Sequence, residues 1–318
     1  MFFHHTSNMS KGIVIKSTGS WYTVKTDENT EIDCKVKGRF RLQGIRSTNP
    51  VAVGDHVDIT VADDGSAFIT HVDNRRNYII RRASNLSKES HIIAANIDAA
   101  LLVVTVEHPR TNLVFIDRFL ATAEAYNVPA YIAINKSDMY NEEEMEYALA
   151  VQHLYRTIGY ETMLISAQNG EGVDTLTRLI SDKLTLFSGN SGVGKSSLIN
   201  RLIPGLNLKT GALSAQHDTG MHTTTHSQMY PLPQGGYIID TPGIKGFGTI
   251  DFDPATVAHY FPEIFRASHD CRFNNCTHRN EPGCAVLKAI DEHLISQSRY
   301  NSYLSIIEDS TDGKYRVG

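Results

Sequence analysis

Gly189-Asn190-Ser191-Gly192-Val193-Gly194-Lys195-Ser196 matches the pattern G-x4-G-K-[ST], and its surroundings decide the fold. The motif follows the apolar run Leu184 to Phe187 and opens a segment in which Leu198, Ile199, Leu202 and Ile203 recur at helical spacing. Strand, glycine turn and helix in that order are the context that a phosphate-binding loop requires. Glycines let successive backbone N–H groups curl around phosphate oxygens at a helix N-terminus, whose partial positive charge adds to them. Lys195 is long enough to reach outer phosphates, and the Ser196 hydroxyl, with Ser197 beside it, can hold Mg²⁺.

Working outward, the apolar runs Ala99 to Val106, Ala130 to Ile134, Met163 to Ile165, Leu184 to Phe187 and Tyr237 to Ile239 alternate with helical segments. Strands apolar on both faces point to a mostly parallel sheet covered on both sides. Loops at the carboxyl ends of such strands carry ligand contacts. Asn135-Lys136-Ser137-Asp138 occupies one of them and reads as N-K-x-D. A carboxylate at Asp138 can accept from both the ring N–H and the exocyclic amine of guanine, a donor pair that adenine lacks. Ser166-Ala167 follows the next strand, where small residues let the backbone approach a base edge. Asp240-Thr241-Pro242-Gly243 reads as D-x-x-G, with Asp240 reaching Mg²⁺ through water and Gly243 placing an N–H near a γ-phosphate. Between the phosphate loop and this turn, Thr223, Thr224 and Thr225 are candidates for the switch threonine, with Thr224 the central one.

The motifs run N-K-x-D, S-A, phosphate loop, switch threonines, D-x-x-G, whereas the usual GTPase begins with the phosphate loop. A parallel sheet tolerates such a permutation if a surface connection, here Gln168 to Asp182, joins the old termini.

Residues 11 to 72 are divided by turn signals into about five short strands, which suggests a small barrel. Within them Lys35, Lys37, Arg39 and Arg41 alternate with Val36, Gly38, Phe40 and Leu42, so that an extended chain puts four cations on one face. The stretch around Arg75, Arg76, Arg81 and Arg82 reads as a basic linker. Near the other end, Cys271-x4-Cys276-x-His278-x5-Cys284 supplies a Cys₃His set that would close a tetrahedral structural zinc site. A helical stripe is expected from Val286, Leu287, Ile290, Leu294 and Ile295. Clustered cysteines suit a metal in a reducing compartment better than a disulfide framework, and Cys34 stands apart from them. No stretch of the 318 residues approaches a membrane span, and the N-terminal residues lack the apolar run of a signal peptide, so a cytoplasmic protein is expected. A net charge of −5 confines any RNA-binding surface to a local patch.

Taken together, these residues resemble the RsgA family of circularly permuted GTPases, which act in maturation of the small ribosomal subunit. The likeness covers nearly the whole chain. It implies an oligonucleotide-binding (OB) type β-barrel over residues 1–75, a circularly permuted α/β P-loop GTPase domain over 76–250 and a helical zinc-binding domain over 251–318. It implies GTP or GDP, Mg²⁺ and one structural Zn²⁺ as ligands. The 30S subunit and its 16S rRNA are the implied partners, with the chain a monomer and no membrane. The family segment G-x-x-H-T-T-T is matched at His222 to Thr225, although the preceding glycine, Gly220, stands one residue closer. Ile244 follows D-x-x-G where Ras-type enzymes carry a water-orienting glutamine, so the resemblance makes His222 the candidate to orient water, with Lys195 stabilising charge. Two other readings compete: a nucleotide-gated RNA-binding module with incidental hydrolysis, and an ATP-dependent kinase or ATPase sharing only the phosphate loop. Asp138 speaks against the second.

Overall fold

The structure, a computed structural model, describes residues 8–36, 50–82, 90–208, 227–240 and 252–312. The strands are β1 Asn8–Ser17, β2 Tyr22–Thr26, β3 Glu31–Val36, β4 His56–Val61, β5 Ala67–Val72, β6 Tyr78–Arg82, β7 Ser90–Ala95, β8 Ala99–Val104, β9 Ala130–Ile134, β10 Glu161–Leu164, β11 Leu184–Ser188, β12 Ser227–Pro231 and β13 Tyr237–Asp240. The helices are α1 Leu113–Ala125, α2 Glu142–Ile158, α3 Val173–Ile180, α4 Lys195–Leu202, α5 Pro262–Ser268, α6 Ala285–Asp291 and α7 Gln297–Asp312. They form two compact units, each assembled from separated stretches: residues 1–99, 180–187 and 215–244, and residues 100–179, 188–214 and 245–318.

In the first unit β1 to β5 pair in the order β1-β2-β3-β5-β4, and β4 returns to β1. The ring is a closed five-stranded barrel with one parallel pairing, β3 with β5. Its interior is filled by alternate residues: Val14, Tyr22, Val24, Cys34, Val57, Ile59, Ala67 and Ile69. Closure removes the free edges that a five-stranded sheet would otherwise expose. The end of β1 also pairs with β12, which runs antiparallel to β13, and β13 lies parallel to β11.

The segment read as a basic linker is structured. Tyr78–Arg82 pairs with Ser90–Ala95 as an antiparallel hairpin. Just before it, Arg75 meets the fully buried Asp55 at 2.6 Å, with only 6% of its own side chain exposed. Asp55 in turn holds the Ala52 amide at 2.8 Å. The arginines read as a basic linker therefore include one that neutralises an interior charge.

In the second unit β10, β9 and β8 are parallel, and all six residues of β8 are buried, as the unbroken run Ala99 to Val104 implies. Helix α1 starts on Asn112, whose side chain accepts from the Val114 amide. Helix α2 opens with a reciprocal capping box between Asn141 and Glu144 and stops at Gly159. The connection from Gln168 to Asp182 runs on the surface and contains the amphipathic helix α3, whose Val173, Leu176 and Ile180 are buried while Asp174, Thr175 and Arg178 are exposed. The expected stripe near the C-terminus is interrupted: α6 ends at Asp291, His293 is left-handed at φ 60°, and Leu294 is 73% exposed while Val286 and Ile295 stay in the core.

The C-terminal helices share an apolar cluster with α1, in which Ala121 meets Phe261, Ile264, Tyr303, Ile306 and Ile307. A buried ionic knot crosses it. Arg299 of α7 donates to Asp117 of α1 at 2.9 Å and to both carboxylate oxygens of Glu263 on α5 at 2.6 and 3.1 Å. Tyr155 of α2 donates to Asp117 at 2.7 Å. The guanidinium also sits 4.5 Å from the Phe261 ring centroid. Burial pushes the Asp117 carboxyl upward, and the Arg299 charge opposes that shift. Replacing Arg299 with Met leaves two interior carboxylates without a counter-ion. The expected loss is about 3–5 kcal/mol of stability, to be read from chemical denaturation; a loss below about 1 kcal/mol, the scale of an exposed pair, would remove the knot from the account of how these four helices are held.

Candidate nucleotide site and metal centre

Asn135 leaves the end of β9 and is 1% exposed. Its side-chain amide donates to the Val193 carbonyl at 2.8 Å, and its carbonyl accepts from the Ala167 amide at 2.9 Å. One side chain thereby fastens the N-K-S-D loop to the phosphate loop and to the Ser166-Ala167 loop. The fit leaves no room for larger residues. A Cβ on Gly194 would lie 2.3 Å from the Asn135 amide nitrogen, and one on Gly189 would lie 2.2 Å from the Val103 carbonyl. Both glycines also have positive φ, 94° and 145°.

The rest of the N-K-S-D loop is a short 3-10 turn, Ser137–Met139. Lys136 takes a left-handed conformation, and its ammonium donates to the His108 carbonyl. Ser137 is buried, with its amide on the Ile165 carbonyl at 3.2 Å. Asp138 is exposed, and the Ser166 hydroxyl donates to its carboxylate at 2.5 Å while accepting the Asn169 amide at 3.1 Å. Ser166 was expected only to be small; here it also orients the carboxylate. Arg201, on the helix that follows the phosphate loop, donates to the Ala167 and Gln168 carbonyls at 2.6 and 2.5 Å. No motif flagged Arg201, because its partners lie more than thirty residues away in sequence.

In the phosphate loop Asn190, Ser191 and Gly192 are exposed, Val193 is buried, and Ser196 and Ser197 are half-buried in the first turn of α4. The Lys195 ammonium donates to the Gly189 and Asn190 carbonyls at 2.6 and 3.3 Å, closing the loop on itself. A glycine cradle at a helix N-terminus, with an ammonium over its mouth, fits a polyphosphate. Asp240 ends β13 in register with Phe187. His222, Thr223, Thr224, Thr225, Gly243 and Ile244 lie outside the described residues, as do Lys37, Arg39 and Arg41. Of the predicted basic face, Lys35 is exposed on β3, its ammonium 4.4 Å from the centroid of the exposed Trp21 ring, with Cys34 buried on the opposite face.

The Cys271, Cys276, His278 and Cys284 ligand atoms all lie within 4.8 Å of one another. Cys271 and Cys284 sulfurs are 3.9 Å apart, and the His278 Nδ1 is 3.6 and 3.5 Å from them. Tetrahedral zinc with ordinary Zn–S and Zn–N bonds has donor separations of roughly 3.5–3.8 Å; Cys271, His278 and Cys284 stand close to that spacing, and Cys276 completes a donor set of the kind that ion takes. Burial holds the His278 imidazole below its usual range, in the neutral form a metal needs. The loop is shaped from outside the donor set. Tyr300 and Tyr303 of α7 donate to the His278 and Thr277 carbonyls at 2.7 and 2.9 Å. Glu281 accepts from the Thr277 amide and hydroxyl, both at 2.6 Å, and from the Arg279 and Asn280 amides at 2.8 and 3.1 Å. Partial burial alone would raise the Glu281 carboxyl, but the Thr277 and Arg279 hydrogen bonds outweigh it and hold it down at about 2.

A glycine-rich loop clasped to an N-K-x-D loop that precedes it in sequence defines a circularly permuted GTPase. In fold the chain matches the crystal structure of YjeQ from Thermotoga maritima, with a TM-score of 0.78, 34% identity, and 96% of this chain and 99% of that one covered. It also matches YloQ, described as a circularly permuted GTPase, with a TM-score of 0.75, 28% identity and 99% of both chains covered. The chain belongs to the RsgA family: the RsgA GTPase pattern matches residues 72–250 and the RsgA N-terminal domain residues 11–69. It is 61% identical over 307 residues to the small ribosomal subunit biogenesis GTPase RsgA of Bacteroides fragilis (strain YCH46), covering 96% of this chain and 99% of that relative. It is 58% identical over 310 residues to the protein of the same name from Porphyromonas gingivalis (strain ATCC 33277), with 96% and 98% covered. The chain is accordingly a GTP hydrolase. Among the described residues no helix is long and apolar enough to cross a membrane.

Two outcomes follow from this geometry. Gly194→Ala forces a clash with Asn135 and is expected to abolish nucleotide binding while the far-ultraviolet circular dichroism stays parental; retained binding would show that the clasp yields. Glu281→Ala is expected to lower metal affinity roughly 10–100-fold, as loss of outer-shell support commonly does. Chelator competition followed by a zinc indicator measures it, and an unchanged midpoint would mean that the four donors shape the loop unaided.

Proposed function

We propose that this chain binds the small (30S) ribosomal subunit through 16S rRNA, as a cytoplasmic monomer, and uses GTP hydrolysis to time a late step of the subunit's maturation. The names of its relatives support the subunit role, and the Asn135 clasp, which brings base-reading and phosphate-holding loops into one assembly, carries the nucleotide reading. The barrel within residues 1–75 is the proposed RNA-binding part, with Lys35, Lys37, Arg39 and Arg41 meeting phosphates. Residues 76–250 form the nucleotide-binding part, and residues 251–318 hold zinc as a rigid docking element.

Within the site, Asn135, Lys136, Ser137 and Asp138 select guanine, and Ser166 and Ala167 close over the base edge. Gly189, Asn190, Ser191, Gly192, Val193, Gly194, Lys195, Ser196 and Ser197 hold the phosphates. Ser196 would hold Mg²⁺ with help from Asp240, and the ion would supply charge that offsets the negative charge of the transferring phosphoryl group. Thr224 and Gly243 contact the γ-phosphate side. His222, in its neutral form, accepts a hydrogen bond from the attacking water and orients it, since Ile244 has no polar group to do so. Lys195 stabilises the developing charge. Subunit binding raises turnover by ordering the segment that carries His222.

Asp138→Ala removes two charge-assisted hydrogen bonds at about 1.5–3 kcal/mol each and is expected to weaken GTP binding by several kcal/mol, leaving the fold intact. His222→Ala is expected to abolish most subunit-stimulated turnover with nearly parental GTP affinity. Single-turnover hydrolysis with and without small subunits tests both the partner and the residue. Equal rates in the two conditions would leave a nucleotide-binding protein whose hydrolysis is incidental, and parental stimulated rates in the variant would assign the water to another group. Cys276→Ala should release zinc and unfold the C-terminal part while nucleotide still binds, and metal analysis of the parent finding no zinc would refute the structural-metal reading.

A further inference from the structure

The turn that carries Asp138 is closed by a residue that no motif includes. Tyr140 follows the 3-10 turn Ser137–Met139 directly. Its hydroxyl donates to the Asn135 main-chain carbonyl at 2.5 Å and accepts the Val106 amide at 3.2 Å. Asn135 is 1% and Val106 5% exposed, so neither main-chain group has water at hand to replace the phenol. The phenol itself is half-buried. Burial, reinforced by Glu144 and Asp138 and opposed by the Val106 amide, raises it to about 12, so it stays a neutral donor at any working pH.

The position of these two bonds gives them a role beyond stability. Asn135 holds the phosphate loop and the Ser166-Ala167 loop with its side chain, and its own carbonyl is held by Tyr140. Val106 belongs to the segment after β8 that also supplies the His108 carbonyl to Lys136. Both ends of the Asn135-to-Tyr140 turn are therefore pinned, one by Asn135 and the other by the phenol. Asp138 lies between them, with Ser166 on its carboxylate.

We propose that Tyr140 is a positioning residue for base selection, tying the main chain of Asn135 to that of Val106 and so fixing the turn that aims Asp138. This rests on the reading of Asp138 as the acceptor for guanine. The phenol reaches the phosphate loop only through Asn135, whereas it closes the turn that carries Asp138 directly, so base preference is the readout nearest to it.

The test compares the full-length parent with Tyr140→Phe for binding of GDP and of IDP, whose base lacks the exocyclic amine that Asp138 accepts. The parent is expected to prefer GDP. Tyr140→Phe is expected to lose about fivefold or more of that preference, the equivalent of roughly one hydrogen bond. Tyr155→Phe is the control: it loses a buried hydroxyl bond to Asp117 in the same compact unit and touches neither loop, so it should melt earlier with its base preference intact. A parental GDP/IDP ratio in Tyr140→Phe overturns the proposal. An equal loss of preference in Tyr155→Phe overturns it too, because lowered stability alone would then explain the effect. So does a Tyr140→Phe chain that does not fold, since the hydroxyl would then be structural. A parent that binds GDP and IDP equally overturns the Asp138 reading itself, and the parental measurement alone separates that failure from one confined to Tyr140.

Discussion

The buried side chain of Asn135 is the joint on which the nucleotide site depends. An amide has one donating and one accepting end, and here each end meets a main-chain group of a different loop. Aspartate could not donate to Val193, and leucine, branched at the same carbon but apolar, would strand both main-chain groups without water. The constraint spreads outward from there. Gly194 must be glycine because the Asn135 amide occupies the space of its Cβ, and Gly189 must be glycine because the Val103 carbonyl does the same. A site assembled by such contacts holds base and phosphate loops at a fixed separation before any ligand arrives, which lowers the ordering cost of binding. Permutation leaves this untouched, since the contacts are spatial and indifferent to which loop is synthesised first.

Around that joint, the second unit relies on two kinds of support. The parallel strands β8 to β10 supply burial without specificity, and their unbroken apolar faces would tolerate many substitutions of similar volume. The Arg299 knot supplies specificity: one buried guanidinium must satisfy carboxylates on two other helices, so α1, α5 and α7 have one mutual arrangement. The metal loop is held in the same manner, by Tyr300 and Tyr303 from α7 and by the four bonds that converge on Glu281. A bound ion would act together with these outer contacts, its binding free energy adding to the folding of the loop.

The phosphate loop, the N-K-S-D turn and the Cys₃His set were legible because their chemistry is local: few residues at fixed spacing carry each of them. The barrel was legible from turn spacing, since closure needs only alternation and short strands. What escaped the sequence was pairing at a distance. Asp55 and Arg75 are twenty residues apart, and nothing in a run of arginines separates the one that enters the interior from those in a hairpin strand. Periodicity carried the helical stripe through Leu294, but His293 at positive φ ends the register, and a stripe count has no way to see a left-handed residue. Tyr140, Arg201 and Glu281 act through hydrogen bonds to main-chain carbonyls or amides, groups that every residue possesses, and so leave no compositional trace.

The contact between Asp117 and Arg299 spans 182 positions of the chain. During synthesis, at about 5–20 residues per second, roughly 10–40 seconds separate the appearance of the two partners. Through that interval α1 carries an uncompensated interior carboxylate and an apolar face whose cover, α7, has not been made. The nascent chain must therefore keep this helix soluble or shielded until α7 emerges, and a chain truncated anywhere before Arg299 lacks the counter-ion for Asp117 and the cover for α1.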